Sequence, residues 1–246
     1  QVKVSSYLEG DFKADLARII CADPNPEGTG LIEEGVACDF AGRYPSRIQP
    51  FTPGSCMQVS MPPETALPSE FTVVVMIWPT RPNGGPQAVL SIESNGSSTP
   101  FILYLDAVGR PTVKIRMSDE NWTECCLPDA VIERRWARLW ASFSQPLGEL
   151  NIGISQGEIN DSVTTTFMGS TVLSDQKINS IVVAACDQDE RHMHFNGKIE
   201  RPTIYSAQLG SGMLLDSTEA TTAPIFACWD FCKEFSSTRV IDTGVN

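Results

Sequence analysis

The sequence predicts an all-β fold, an antiparallel β-sandwich of the jelly-roll type with little helix. Three observations lead there. Apolar residues recur at every second position in short runs, with almost no 3.6-residue periodicity. Turn signals rich in Gly, Pro and Asn separate those runs. The 246 residues are 41% hydrophobic, enough for a core, yet the longest apolar stretch, Val73 to Trp78, is only strand-sized.

The elements follow in order. Asp11 to Cys21 is the one helical candidate of any length, and its pattern fits a strand equally well. Residues 1–60 are richer in Pro and Gly, and are expected to add strands or a small subdomain to a single domain spanning 1–246. The main sandwich is expected over 61–246. Phe71 to Trp78 is apolar on both faces, as a central strand requires. Pro79 to Pro86, with an Asn83-Gly84-Gly85 turn, ends it. Ala88 to Glu93 and Phe101 to Leu105 follow, joined by an Asn95-Gly96 turn. After the loop Asp106 to Arg110, Val113, Ile115 and Met117 alternate with Lys114 and Arg116, a half-exposed strand. Trp136 to Phe143 is another strand. Leu150, Ile152 and Ile154, with small or polar residues between them, mark the next. Ile178 to Ala185 is apolar almost throughout and is expected to be central. Phe195 to Tyr205 holds Pro202, which calls for an edge or a bulge. Gly210 to Leu215 fits one helical turn, and Ile225 to Phe231 the last strand. Trp78, Trp136, Trp140 and Trp229 fall on these strands and are expected in the core. Arg134-Arg135 reads as a solvated turn.

Charge narrows the partners. Thirty acidic residues face 18 basic ones, for a formal net charge of −12 and a pI of about 4.6. The basic residues form no patch, so nucleic acid and anionic membranes are poor partners. Neutral sugars and cations suit such a surface, and so does nothing more than solubility. No apolar run reaches the roughly 18–20 residues that span a bilayer, so no membrane insertion is expected. The chain opens on Gln1, so either a leader has been removed or the numbering starts inside a longer protein; no signal peptide is visible in what remains.

Eight cysteines, an even count, suit disulfides in an oxidising compartment, with buried free thiols as the alternative. Adjacent Cys125 and Cys126 point to opposite faces of a strand. Three N-x-Ser/Thr sequons, at Asn95, Asn121 and Asn160, fall in expected loops. Together these features lean towards a secreted or extracellular protein, with the cytoplasm as the alternative.

The order of the strands carries a resemblance. Phe71 to Pro79, the turn after Leu105, the aromatic run Trp136 to Phe143 and the closing segment His194 to Tyr205 resemble concanavalin A-like and laminin-G-like lectin modules. A narrower similarity rests on Ala17 to Gly30, which contains Asp23-Pro24-Asn25-Pro26-Glu27-Gly28, followed by Glu33-Glu34. Tyr44 to Pro50, Ala227 to Phe231 and Ser236 to Gly244 complete it. These segments resemble the lectin-like N-terminal part of the large subunit of N,N-dimethylformamidase. That subunit is much longer, and its catalytic, iron-binding region lies beyond the point where this sequence stops. The resemblance therefore implies a β-sandwich used for binding or assembly, and no catalytic residue carries over.

Two loops are the candidate ligand-binding residues. Asp187, Asp189 and Glu190 precede His192, His194 and Asn196. If Met193 and Phe195 point inward, the last three share one face. Such a group could coordinate a metal, imidazole suiting zinc and carboxylates suiting calcium. It could equally hydrogen-bond sugar hydroxyls, or be a solvated hairpin. The second loop holds Asp119, Asn121 and Trp122, where an indole could stack on a pyranose while the polar groups take hydroxyls. Against this, Trp122 could cap the core, or Asn121 could carry a glycan. The Asp23 to Gly30 loop, stiffened by two prolines, reads as structural rather than ligand-binding.

Enzyme motifs are missing: there is no G-x-S-x-G, H-E-x-x-H, P-loop or G-x-G-x-x-G, and Cys228-x-x-x-Cys232 is not a redox C-x-x-C. The expected function is a non-catalytic, carbohydrate-binding lectin-like protein. It would bind a glycan or glycoprotein and act as a homo-oligomer. It would need no cofactor unless calcium serves. The alternative is a structural assembly module of a dimethylformamidase-like amidohydrolase.

Overall fold

The computed structural model describes residues 4–48, 54–94, 98–186, 192–215, 222–234 and 237–244. The chain divides into two compact units, Gln1–Pro53 and Gly54–Asn246.

In the first unit, β1 (Asp11–Ala14) and β2 (Leu16–Ala22) occupy the segment that fitted helix or strand. β3 (Leu31–Val36) and β4 (Gly42–Pro45) complete it. β1 pairs with β4, and β2 with β3, as two separate two-stranded sheets. Phe12 stacks on Tyr44 across the first pair at 5.6 Å. The Asp-Pro-Asn-Pro-Glu-Gly run caps the β2–β3 hairpin through a relay of side-chain turns. Asp23 Oδ1 accepts the Asn25 N–H, and Asn25 Oδ1 accepts the Glu27 N–H. A Cβ at Gly28 would lie 2.0 Å from Asp23 Oδ2, so any other residue there would displace the Asp23 carboxylate from the relay. No described residue of this unit is buried, and Ile19, Ile20 and Leu31 stay about 60% exposed at 61%, 57% and 62%.

The second unit is the sandwich. Its strands are β5 (Met57–Ser60), β6 (Glu70–Pro79), β7 (Gln87–Ser94), β8 (Ser98–Leu105), β9 (Pro111–Arg116) and β10 (Trp122–Cys126). They continue with β11 (Ala137–Ser144), β12 (Glu149–Gln156) and β13 (Ile159–Thr166). A short helix α1 (Val172–Asp175) precedes β14 (Ile178–Val183) and β15 (Gly197–Tyr205). The short helix α2 (Ser211–Leu215), β16 (Ile225–Asp230) and β17 (Ile241–Asp242) close the chain. One sheet has the order β10-β9-β8-β7-β14-β5, the other β13-β12-β11-β6-β15-β16-β17. The fold is thus the all-β sandwich that period-two alternation demanded, with two helices of one turn each among the described residues.

Alternation decides which side chains fill the space between the sheets. Phe71, Val73, Val75 and Ile77 of β6 point inward and are at most 1% exposed. They meet Phe101, Leu103 and Ile115 of the facing sheet and Leu139, Phe143 and Ile152 of their own. Phe71 contacts Phe101 edge-on at 5.4 Å and Phe143 at 5.3 Å, so one ring ties the two layers together.

Several expectations are refined. Pro202 marks a bulge and not an edge. β15 lies between β6 and β16, and its register shifts between Glu200 and Thr203, so the ladder skips the residue that lacks an N–H. Trp140 and Trp229 are buried, but Trp136 is 41% exposed. It sits one residue ahead of β11, edge-on to Trp78 at 5.7 Å, with Lys198 Nζ 5.6 Å from the Trp78 ring. The eight cysteines are free thiols, so no disulfide bears out the even count. Cys125 is buried in the core and Cys126 faces the other way, near Thr112. Of the sequons, Asn95 lies outside the described residues, Asn121 is in a hairpin loop, and Asn160 falls on β13 and not in a loop.

The β8–β9 turn gives a pH-dependent test. Asp106 Oδ1 accepts the N–H groups of Val108 and Arg110 at 3.0 and 2.8 Å, and Oδ2 pairs with Arg110 Nε at 2.7 Å. Partial burial pushes the carboxyl up, but these donors outweigh it and hold it below the usual carboxylate range. A carboxyl depressed in the folded state stabilises above its unfolded titration range and loses that contribution as pH falls through the folded one. Asp106→Asn is therefore expected to cost about 1 kcal/mol at neutral pH. The gap to the wild type should close in acid below the ordinary carboxylate range. Urea unfolding at pH 7 and at successively lower pH reads this directly.

Candidate functional site

The expected binding residues do not converge. Asp119, Asn121 and Trp122 lie in the β9–β10 hairpin, at one edge of the six-stranded sheet. Asp119 Oδ1 accepts the Asn121 N–H at 3.1 Å, and Oδ2 accepts Asn121 Nδ2 at 2.9 Å. These donors hold the Asp119 carboxyl below its usual range, and each of its oxygens already accepts one bond within the turn. Trp122 opens the edge strand β10 and is 47% exposed. His192, His194 and Asn196 follow β14, on the far side of β9, β8 and β7 from that hairpin. Asp187, Asp189 and Glu190 lie outside the described residues.

Nor do His192, His194 and Asn196 form a strand face. Met193 takes a positive φ of 51°, which breaks the alternation. Met193 packs with Ala88, Ile102, Tyr104 and Cys186, while Phe195 enters the main core, so the two apolar side chains go to different clusters. His192 is exposed and bridges to Cys186. The His194 ring rests on Gly54, where a Cβ would lie 2.2 Å from Cγ. The Asn196 N–H is bound by Gln87 Oε1 at 2.8 Å. Buried Gln87 also donates to the carbonyls of Arg81 and Pro82, fixing the β6–β7 loop beside it. Among the described residues, the potential metal ligands that cluster are instead Glu200, Asp230 and Cys232. There the Glu200 charge pushes the Cys232 thiol up.

A different surface has the form of a site. On β11, β12 and β13, the residues facing away from the core align in rows set by the register. Ser142 lies beside Asn151 and Thr164, and Trp140 beside Gly153 and Ser162. Gly153 has no side chain, so the Trp140 indole lies across it; a Cβ there would be 2.1 Å from Cζ2. The segment following β15 packs over the other side of the indole through Leu209 and Leu214. Thr72 Oγ1 fastens that segment to the sheet, donating to the Ala207 carbonyl at 2.8 Å and accepting the Leu209 N–H at 2.9 Å.

Between this segment and β13 runs a groove of about 370 Å³, within the range of small-molecule sites. Trp140, Glu149, Asn151, Ser162, Thr164 and Gln208 line it. Gln208 Nε2 donates to Glu149 Oε2 at 3.1 Å, and Asn151 Nδ2 to Ser142 Oγ at 3.1 Å. Trp140 is 1% exposed, yet its Nε1–H has no hydrogen-bond partner. A buried donor without an acceptor is costly and is where a ligand oxygen or a water gains most.

Sequence reasoning passed over this groove because its polar residues look like the solvated face of two strands. The one sequence signal was the small or polar spacing between Leu150, Ile152 and Ile154. The wall from Gln208 to Ser211 comes from a distant part of the chain and leaves no trace in local periodicity.

No family model matches the chain. It is 26% identical over 253 residues to the N,N-dimethylformamidase beta subunit of Alcaligenes sp, covering 92% of this chain and 32% of that subunit. The same subunit of Paracoccus aminophilus is 29% identical over 251 residues, covering 91% of this chain and 32% of the relative. The chain thus spans about a third of the length of these curated relatives. Among solved structures, the Ruminococcus gnavus IT-sialidase CBM40 bound to alpha2,3 sialyllactose superposes with a TM-score of 0.52 at 21% identity. That match covers 63% of this chain and 84% of the module. The native heptameric SAP-like pentraxin from Limulus polyphemus gives a TM-score of 0.50 at 14% identity, over 69% of this chain and 78% of the pentraxin. At these identities the structural likeness shows a shared sandwich fold, and the sequence likeness is to the dimethylformamidase beta subunit.

Proposed function

We propose that this chain binds glycans, without turnover, in the groove beside Trp140. The observation that carries this reading is the buried, unpartnered indole N–H of Trp140, a residue that lines a groove with hydroxyl, amide and carboxylate side chains. Sugars offer many oxygen acceptors and donors together with apolar ring faces, which suits such a lining. The fold is one that the carbohydrate-bound CBM40 also uses. Such a site is weak singly, and a homo-oligomer in an extracellular setting would strengthen it by multivalency.

The test is a glycan array probed with the whole chain, its Ser162→Arg variant and its Trp122→Ala variant. Ser162 is exposed on the edge strand β13, so arginine there fills the groove at a stability cost within about 0.5 kcal/mol. Selective binding that is lost in Ser162→Arg and kept in Trp122→Ala is the expected result. Binding lost only in Trp122→Ala would move the site to the β9–β10 hairpin.

One observation favours a second reading, assembly into a dimethylformamidase-like amidohydrolase. Every apolar side chain in the described part of the first unit remains at least partly exposed, and isolated two-stranded sheets are marginal in water. A surface of that kind suits burial against a further protein mass, and the curated relatives are about three times longer than the matched region. Silence across a broad array would favour this reading.

A further inference from the structure

We infer that the groove selects uncharged sugars and discriminates against sialylated and other anionic glycans. This rests on the glycan-binding reading above and specifies its ligand class.

Recognition of a carboxylate- or phosphate-bearing sugar calls for charge-assisted donors, from Arg or Lys above all. The described groove residues include no Lys, Arg or His, and one carboxylate, Glu149. Gln208 Nε2 occupies Glu149 Oε2. Oε1 is then the carboxylate oxygen left without a partner from Gln208, and it suits a sugar hydroxyl rather than an anion. The other polar side chains of the lining, Ser162, Thr164, Asn151 and Ser211, are neutral. Arg138 precedes Trp140 by two residues on the same sheet face and is the cation nearest in register. It sits in the next row, beside Ser155, and its Nη1 donates to the Leu214 carbonyl at 3.2 Å. It therefore serves to hold α2 against the sheet. The net charge of −12 adds a long-range field of the same sign as Glu149.

An acidic sugar entering here would meet Glu149 with no counter-charge. A hydroxyl in the same place would accept from the Trp140 N–H or donate to Glu149. The like-charge contact at a partly desolvated surface corresponds to a preference on the order of tenfold for the neutral ligand.

The experiment uses the whole chain and an array of matched glycan pairs, each with and without terminal sialic acid. Isothermal titration then follows on the best neutral member and its sialylated partner, for the wild type, Glu149→Gln and Ser162→Arg. The expected result is binding of neutral members, about tenfold weaker binding of their sialylated partners, and loss of both in Ser162→Arg. In Glu149→Gln the ratio between partners should fall towards one. A preference for sialylated members that Ser162→Arg abolishes would overturn the charge selectivity while leaving the groove as the site. A neutral-to-sialylated ratio unchanged in Glu149→Gln would overturn the role given to that carboxylate. Silence of the wild type towards both members of every pair would overturn the glycan-binding reading itself, and the selectivity with it.

Discussion

Replacing Gly153 with valine is expected to destabilise the sandwich by about 3 kcal/mol and to abolish binding in the groove. The added Cβ would lie 2.1 Å from Trp140 Cζ2, 2.3 Å from Cε2 and 2.8 Å from Nε1. The indole cannot swing aside, because Leu209, Leu214, Val74 and Tyr205 pack around it. Either the β11–β12 pairing spreads or the segment after β15 lifts from the sheet. Both remove the groove, since that segment is its wall. Gly153→Ala meets the same collision with a smaller group and is expected to lose less. Urea unfolding of the two variants, read by tryptophan fluorescence, measures the effect. A Gly153→Val protein as stable as the wild type would mean that Trp140 does not lie on β12.

Phe71→Ala should be the more damaging change, at about 3–5 kcal/mol. The ring is fully buried and touches Phe101 of one sheet and Phe143 of the other. Its loss leaves a cavity where the two layers meet, and Phe143, which also stacks on Phe167 at 5.7 Å, cannot fill it alone. Domains of this kind are stable by only about 5–15 kcal/mol, so the variant should unfold at much lower urea or heat. Phe71→Leu keeps most of the volume and should cost less than about 1.5 kcal/mol. Equal losses in both variants would mean that ring contacts, and not filled space, set the energy there.

The sequence was most legible where alternation faced a core. Phe71 to Trp78 and Trp136 to Phe143 read as strands because every second residue is large and apolar, and β6 and β11 lie there. The edge strand β13 was not anticipated, and of β10 only Cys125 and Cys126 were read as strand. Trp122–Cys126 and Ile159–Thr166 are short of inward apolar residues, because an edge strand buries little of either face. Trp136 was misplaced for a related reason: one residue of offset at a strand end turns a core position into an exposed one. His192, His194 and Asn196 were expected on one face, but the left-handed turn at Met193 is invisible to any period-two reading.

The candidate site was the least legible part. Chemistry-bearing residues drew attention to the loops with Trp122 and the histidines. The groove instead assembles unremarkable Ser, Thr, Asn and Gln side chains around a glycine and a tryptophan from three strands and a distant segment. The register of β11, β12 and β13 sets the strand residues in neighbouring rows, and the segment after β15 adds Gln208.

The most direct measurement is a heteronuclear NMR titration of the tryptophan indole N–H signals with the neutral glycan selected on the array. The chain has five tryptophans, and Trp140→Phe assigns the signal of interest. Saturating ligand should shift the Trp140 indole N–H strongly, as its missing acceptor arrives, and leave Trp122 and Trp229 in place. A shift confined to Trp122, with Trp140 unmoved at saturation, would contradict the account.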